Sequence, residues 1–288
     1  MSEQAQLEFT GERFTPECVR EIWYEHWHRY VFAREFARGK RVLDAACGEG
    51  YGSALLAGVA QNVLGVDIAE AAVAHARSRY AVLPNLRFER GDCTALTVAA
   101  ASFDLIVSFE TLEHVQAQEQ LLAGFARAMA PGGVLLISSP DKHTYSEVSG
   151  FRNEFHVREL YRDELLALLR PHFSHVRLYG QKLLFQSAIW DIEKTPRSVE
   201  VASVANAEQQ QPGAGLAYAP LYFLAVCARQ PLPETLPDLA LFGDREESVY
   251  QHYNGEVRRN MAAGGRIAEL EAEIAALREQ LAHATARR

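Results

Sequence analysis

Arg41-Val42-Leu43-Asp44-Ala45-Ala46-Cys47-Gly48-Glu49-Gly50-Tyr51-Gly52 is the stretch whose reading decides the fold. An apolar run breaks into three glycines spaced two apart, the pattern of a strand feeding a ligand loop. Glycine enters positive φ without penalty and lets backbone amides approach a ligand, and a helix starting behind the loop turns its positive end toward that ligand. A nucleotide-like cofactor is expected there. The spacing departs from the dinucleotide fingerprint, whose third glycine stands three positions after the second, because Ser53 occupies that place.

Working outward, residues 51–60 read as a helix and residues 61–67 as a second strand ending in an acid, Asp67, which follows Gly48 by 19 residues. An acid at that distance can hold both ribose hydroxyls of a nucleotide; alone it could equally cap the helix that residues 69–77 form. Residues 86–89 make a third strand, followed by Gly91-Asp92-Cys93, where an aspartate also suits an ordinary turn. Residues 103–109 are apolar almost throughout, as in a strand buried on both faces, and run into Glu110-Thr111-Leu112-Glu113-His114-Val115. A helix over 121–129, the turn Ala130-Pro131-Gly132-Gly133 and a strand over 134–138 complete an alternation that implies an α/β fold, a parallel sheet with helices on both faces.

Val42-Leu43-Asp44-Ala45-Ala46-Cys47-Gly48-Glu49-Gly50 resembles motif I of the class I S-adenosylmethionine-dependent methyltransferases. Asp67, the Glu110–Val115 segment and the Pro-Gly-Gly turn resemble further hallmarks of that family. The likeness covers roughly residues 40–228. It implies a Rossmann-like sheet of seven strands, mostly parallel with the last strand antiparallel, and S-adenosyl-L-methionine as cofactor. By resemblance Gly48, Gly50 and Asp67 line the cofactor site, with Asp44 behind the loop and Asp92 at the adenine. Ala46, Cys47, Ile68, Cys93, Phe109 and Glu110 join them as neighbours of the same motifs. Gly11–Glu17, Tyr24–Tyr30 and Glu154–Leu160 also look similar to bacterial methyltransferases of surface-polysaccharide and nucleotide-sugar pathways.

The flanks supply the acceptor side. Residues 1–40 should hold an irregular segment and then a helix to about Arg38, with Thr15 as N-cap and Pro16 at its first position. Its aromatic density suits either a helix packed flat on the sheet or one that also lids a pocket. Tyr24, His28 and Tyr30 are acceptor-binding candidates on it, joined by His143, Tyr145, Asn153 and Arg158 from the polar loop over 139–156 and the residues just after it. A helix over 158–170 and a strand over 174–184 should follow, with an insertion over 187–219 and a last strand over 218–227. The methyltransferase domain would then span residues 41–230, residues 231–243 form a Pro-rich linker, and residues 244–288 make a helical segment capped by Asp244 and loosened at Gly264-Gly265. In it Ile267, Leu270, Ile274, Leu277 and Leu281 alternate three and four apart, a short heptad pattern suited to a homodimer, a partner helix, or folding back on its own domain.

Composition narrows the classes. The 288 residues carry 37 acidic and 29 basic side chains, a formal charge of −8, which argues against nucleic acid as substrate. Cys18, Cys47, Cys93 and Cys227 are scattered, against a disulfide framework or thiolate metal site, and a cytoplasmic setting is expected, with no basic-apolar leader and no membrane-spanning run. Methyl transfer from a sulfonium is an in-line displacement, so a hydroxyl acceptor needs a base, for which His114 and His156 are the leading candidates and Glu113, His143 and His28 the remainder. No metal is expected from the linear spacing of ligands. The expected activity is O-methylation of a sugar hydroxyl, on a nucleotide sugar or a glycan end. Its alternatives are methylation of a quinone precursor or other natural product, and an inactive cofactor-binding scaffold recruiting glycan enzymes through the C-terminal helix.

Overall fold

The computed structural model describes residues 21–189, 201–203, 213–216 and 218–286. The expectations for Thr15, Pro16 and Cys18, and most of the insertion over 187–219, lie outside the described residues. Two compact units are distinguished, residues 25–240 and residues 21–24 with 241–286, and each is described by itself.

In chain order the elements are α1 (Glu21–Ala37), β1 (Arg41–Ala45), α2 (Tyr51–Ala57), β2 (Asn62–Asp67), α3 (Glu70–Arg79), β3 (Leu86–Arg90), β4 (Phe103–Ser108), α4 (Gln118–Ala128), β5 (Met129–Pro140), α5 (Arg162–Leu169), β6 (His175–Gln181), β7 (Ala202–Ser203), β8 (Gly213–Ala214), β9 (Tyr222–Ala228) and α6 (Ser248–Ala286). Seven strands form one sheet in the order β3-β2-β1-β4-β5-β9-β6, and β7 pairs with β8 apart from it. β1 through β5 are parallel, whereas β9 lies between β5 and β6 and runs antiparallel to both. This is the Rossmann-like, mostly parallel sheet with an antiparallel last strand expected from the motifs. The chain winds outward from β1 to β3 and returns to β4 on the other side of β1. The strand order therefore reverses at the β1–β4 seam, the point beyond whose strand carboxyl ends open α/β sheets bind their ligands.

The apolar sequence of the central strands has its cause in this position. Val42, Leu43, Leu105, Ile106, Val107 and Leu135 are at most 1% exposed because helices cover the sheet on both faces. Leu121, Leu122 and Phe125 of α4 pack into the same core with Phe173. On α1, Glu25, Arg29, Ala33 and Ala37 recur every four residues and are all buried, so a single stripe meets the domain even though polar residues sit in it.

Several boundaries differ from the sequence reading. α4 starts at Gln118, whose side chain donates to the carbonyls of Leu112 and Arg158, so a polar residue is buried to satisfy backbone. Pro131-Gly132-Gly133 falls within the span of β5: Phe103 pairs with Met129 and Leu105 with Val134, so the turn bulges out opposite Asp104. The long polar loop carries a π-helical turn over His143–Val148, tied to the start of the next segment by the bridge between Asp141 and Leu160. α5 begins at Arg162, four residues later than expected, where Glu164 reaches back to accept from the Tyr161 amide at 3.0 Å.

In the second unit Tyr24 donates to Asp244 at 3.2 Å, and the rings of Trp23 and Tyr24 pack on Phe242. Asp244 accepts from the Ser248 amide at 2.8 Å and so satisfies the N-terminus of α6. α6 is continuous for 39 residues through Gly264 and Gly265. Each glycine costs about 1 kcal/mol of helix propensity, which the Ala- and Glu-rich neighbours on both sides outweigh. Ile267, Leu270, Ile274, Leu277 and Leu281 are 41–69% exposed along it. No helix among the described residues is long and apolar enough to cross a membrane.

Candidate active site

The loop after β1 is built on left-handed backbone, with φ of 62° at Ala46, 56° at Gly48 and 90° at Gly50. Close packing also forbids a side chain at Gly50: a Cβ there would meet the Phe88 ring at 2.6 Å and Ala76 Cβ at 3.0 Å. Asp67, at the tip of β2, accepts from the Gly48 amide and from the Ala69 amide, each at 2.8 Å. Its carboxylate thus clamps the loop and starts the approach to α3, while each oxygen keeps a second lone pair for a ligand. Glu49, buried in the same loop, faces His75 and Arg79 and accepts from the Tyr80 hydroxyl at 3.2 Å, which ties the loop to α3.

Asp44 lies beneath this loop, fully buried, accepting from Ser53 Oγ at 2.6 Å and Tyr30 Oη at 3.1 Å. Burial pushes its carboxyl up to about 7 against the opposing effect of those two hydrogen bonds. The Tyr30 ring stands edge-on to Phe109 at 5.1 Å and to Tyr51 at 5.2 Å, bringing α1 against both the glycine loop and the end of β4. Cys47 and Cys93 are buried, and burial pushes the Cys93 thiol up to about 12, so neither offers a thiolate near neutrality. Asp92 is exposed and accepts from the Thr94 amide at 2.8 Å as a turn aspartate. Ile68, just after β2, is 64% exposed.

Beyond β4 the backbone is strained. Glu110 has φ 50° although it is not glycine, a conformation costing about 1 kcal/mol or more and concentrated at functional sites. It is held by Ser138 of β5, which accepts from the Glu110 amide at 3.0 Å and donates to its carboxylate at 2.6 Å. Arg29, 1% exposed, places a guanidinium nitrogen 3.4 Å from the same carboxylate, stacks over the Tyr222 ring at 4.5 Å and donates to Gln181 at 2.7 Å.

From Tyr222 a run of rings leads to two histidines. Tyr145 lies 5.7 Å from Tyr222 and stacks on His156 at 5.3 Å, and the rings of His156 and His114 meet edge-on at 4.9 Å. His114 Nδ1 donates to the Phe155 carbonyl at 3.0 Å, and its Nε2 lies 3.8 Å from Glu113 Oε1. His156 Nδ1 donates to Glu159 at 2.5 Å, and Asn153, oriented by the Phe155 amide on its oxygen, donates to His156 Nε2 at 3.0 Å. Both carboxylate oxygens of Glu113 are buried without a hydrogen-bond partner. Burial, with the nearby Glu110 charge, pushes this carboxyl well above the usual range.

The acceptor-side candidates separate. Tyr145, His156 and Asn153 belong to this connected set, the Arg158 backbone is pinned to it by its amide donating to the Glu113 carbonyl at 3.0 Å, and Tyr30 is buried apart from it against Asp44 and Phe109. The Tyr24 hydroxyl is instead used by Asp244. His143 is exposed and paired with Glu147 at 3.2 Å. His28 is held neutral, its imidazole pushed down to about 4 by burial and by the Arg29 charge, which makes it a poor base at neutral pH. Glu113, His114 and His156 each offer a ligand atom within 4.8 Å of the other two, a donor set for a divalent ion that linear spacing does not reveal. Sequence reasoning missed Arg29, Glu159 and Tyr222. Arg29 was findable on the four-residue stripe of α1, and Glu159 three residues beyond His156, whereas Tyr222 reads only as an apolar strand residue.

Residues 43–137 match the family model described as a methyltransferase domain. A protein of Mycolicibacterium smegmatis named "Probable S-adenosylmethionine-dependent methyltransferase" is 41% identical over 166 residues, 57% of this chain and 63% of its own. A ubiquinone biosynthesis O-methyltransferase of Idiomarina loihiensis is 34% identical over 123 residues, covering 41% of this chain and 50% of its own. The chain thus spans less than two thirds of the length of these curated relatives. The crystal structure of the YcgJ protein of Bacillus subtilis superposes with a TM-score of 0.51 at 18% identity, over 72% of this chain and all of that one, and shares the fold.

Proposed function

We propose that this chain is an S-adenosylmethionine-dependent methyltransferase that O-methylates a sugar hydroxyl, on a nucleotide sugar or a glycan end. The observation that carries the cofactor is the left-handed loop at Ala46, Gly48 and Gly50, clamped by Asp67 at the point where the strand order reverses, within the stretch matched by the methyltransferase-domain family. Its backbone amides and the spare lone pairs of Asp67 suit a nucleoside with ribose hydroxyls, and Asp92 is the candidate for the adenine amino group. When bound, the cofactor supplies an electrophilic methyl group on a sulfonium.

The chain's own residues then orient the acceptor and move its proton. His114 is the base: its Nδ1–H stays bonded to the Phe155 carbonyl in both protonation states, so the ring cannot turn as Nε2 takes the hydroxyl proton. His156 is the runner-up, because in the described state its Nε2 already accepts from Asn153. In this reading Glu113, His114 and His156 handle protons and hold no required metal. Full turnover after exhaustive chelation supports that; its loss overturns it. Tyr145 supplies a ring face on which a sugar stacks, whereas Tyr30, 5% exposed against Tyr51 and Phe109, is a buried support and no acceptor platform.

The relative named as a ubiquinone biosynthesis O-methyltransferase favours a second reading, an aromatic or other natural-product hydroxyl as acceptor. A panel of nucleotide sugars, glycan ends and catechols, with products read by mass, separates the two. Methylation of sugars supports the first reading, and methylation confined to catechols replaces it with the second.

A further inference from the structure

The π-helical turn His143–Val148 and residues 150–159 enclose a cleft of about 540 Å³, with His156 and Glu159 in its wall. Lys142, Arg152 and Arg158 also line it, three cations in a chain whose net charge is −8. The segments that carry them are held together by the backbone. The Asp141–Leu160 bridge and the Lys142 amide, donating to the Leu160 carbonyl at 3.2 Å, join the segment before the turn to the segment after the loop. The Arg158 amide is fixed on the Glu113 carbonyl, and Gln118 holds the Arg158 carbonyl at 3.0 Å.

The two carboxylates of the cleft offset only part of this charge, Glu147 feeling the Lys142 charge, and their hydrogen bonds are taken up by other groups. Glu147 accepts from the Tyr161 hydroxyl and from His143, and Glu159 accepts from Ser146 and His156, both at 2.5 Å. Among the described residues no carboxylate lies within salt-bridge distance of Lys142, Arg152 or Arg158, and Lys142 lies over the Tyr161 ring at 4.8 Å. Three cations against two carboxylates leave the cleft wall with an excess of positive charge, which a polyanion entering the cleft neutralises. Two of the cations are guanidinium forks, the geometry that grips phosphate oxygens in pairs, and the volume leaves room for more than the anion alone.

We propose that Lys142, Arg152 and Arg158 form a subsite for a phosphate or diphosphate group carried by the acceptor, whose hydroxyl is thereby presented beside the His114–His156 pair. The inference rests on the methyltransferase reading for the presence of an acceptor, but its chemistry is tested without methyl transfer. A phosphate-bearing acceptor is what this charge set selects among hydroxyl compounds, and neutral catechols gain nothing from it.

Calorimetric titration of the full chain with inorganic pyrophosphate at low ionic strength should show saturable binding. The Arg152→Gln/Arg158→Gln double variant should weaken it at least tenfold, while Arg162→Gln, outside the cleft, leaves it unchanged. Arg152 is exposed and in no salt bridge with a carboxylate, so the single variant Arg152→Gln keeps its fold and should weaken binding severalfold even where the double variant fails to fold. Equal binding by wild type and the Arg152→Gln variant, or no binding by wild type, overturns the subsite. Tighter binding of citrate than of pyrophosphate overturns the phosphate assignment in favour of a carboxylate. S-adenosylhomocysteine titrated in parallel separates the two claims: pyrophosphate binding without cofactor binding sinks the methyltransferase reading and leaves the subsite standing.

Discussion

Replacing Gly52 by alanine should be the most costly small substitution in the glycine loop and α2, for a reason that has nothing to do with backbone conformation. Gly52 lies in α2 with φ outside the left-handed region, so helix propensity alone favours alanine by about 1 kcal/mol. The added Cβ, however, would fall within the Tyr30 ring, against Cζ, Cε1 and Cε2. Tyr30 is 5% exposed and boxed in by Tyr51 and Phe109, so it cannot step aside without repacking α1 against the sheet. Overpacking of this kind costs about 1–3 kcal/mol, and displacing the Tyr30 hydroxyl from buried Asp44 costs about 1–3 kcal/mol more. The clash wins, for a net loss of about 3 kcal/mol. Urea unfolding of Gly52→Ala, Tyr30→Ala and the double variant measures it as a cycle. In the Tyr30→Ala background the ring is gone, so Gly52→Ala should be neutral or stabilising by about 1 kcal/mol, a coupling of about 2–4 kcal/mol. A neutral Gly52→Ala single variant, or the same cost in both backgrounds, would refute the packing argument.

Further outcomes follow from the same geometry. Asp44 is pushed up to about 7 in the folded state against about 3.9 unfolded, so the fold holds a proton that the unfolded chain has released, and this residue's contribution to stability falls as pH rises from about 4 to about 7. Urea midpoints of Asp44→Asn should therefore decline less than wild type over that window, by up to about 4 kcal/mol in total, and parallel curves would remove the buried-carboxyl argument. His114→Ala should lower turnover by about 10²- to 10⁴-fold with S-adenosylhomocysteine affinity unchanged; near-wild-type turnover disqualifies His114 as base. Deleting residues 265–288 should convert a dimer to a monomer in light scattering, because the apolar seam of α6 is exposed in the single chain; a monomer before and after deletion ends the self-association proposal.

How much of this was legible beforehand depended on where the physics is local. The order of strands through β5 and the positive-φ loop follow from apolar runs and glycine spacing, both properties of neighbouring residues. Asp67 illustrates the limit: both sequence readings, ribose acid and helix start, involve the same carboxylate, and its clamp on the Gly48 amide depends on β1 and β2 lying side by side. The site's polar core was less readable because it is assembled from distant elements. Arg29 of α1, Glu110 after β4, Ser138 of β5 and Tyr222 of β9 meet only once the sheet is formed, and an arginine amid aromatics reads as a solvated charge. Glycines 264 and 265 misled in the other direction, since their local penalty is smaller than the propensity of the long helix around them.

The central claim is that the loop between β1 and α2 holds S-adenosylmethionine. Calorimetric titration of the full chain with S-adenosylhomocysteine, the product form that no turnover consumes, tests it most directly. Saturable binding at one site per chain is the predicted result; absence of binding by both S-adenosylhomocysteine and S-adenosylmethionine would contradict the account.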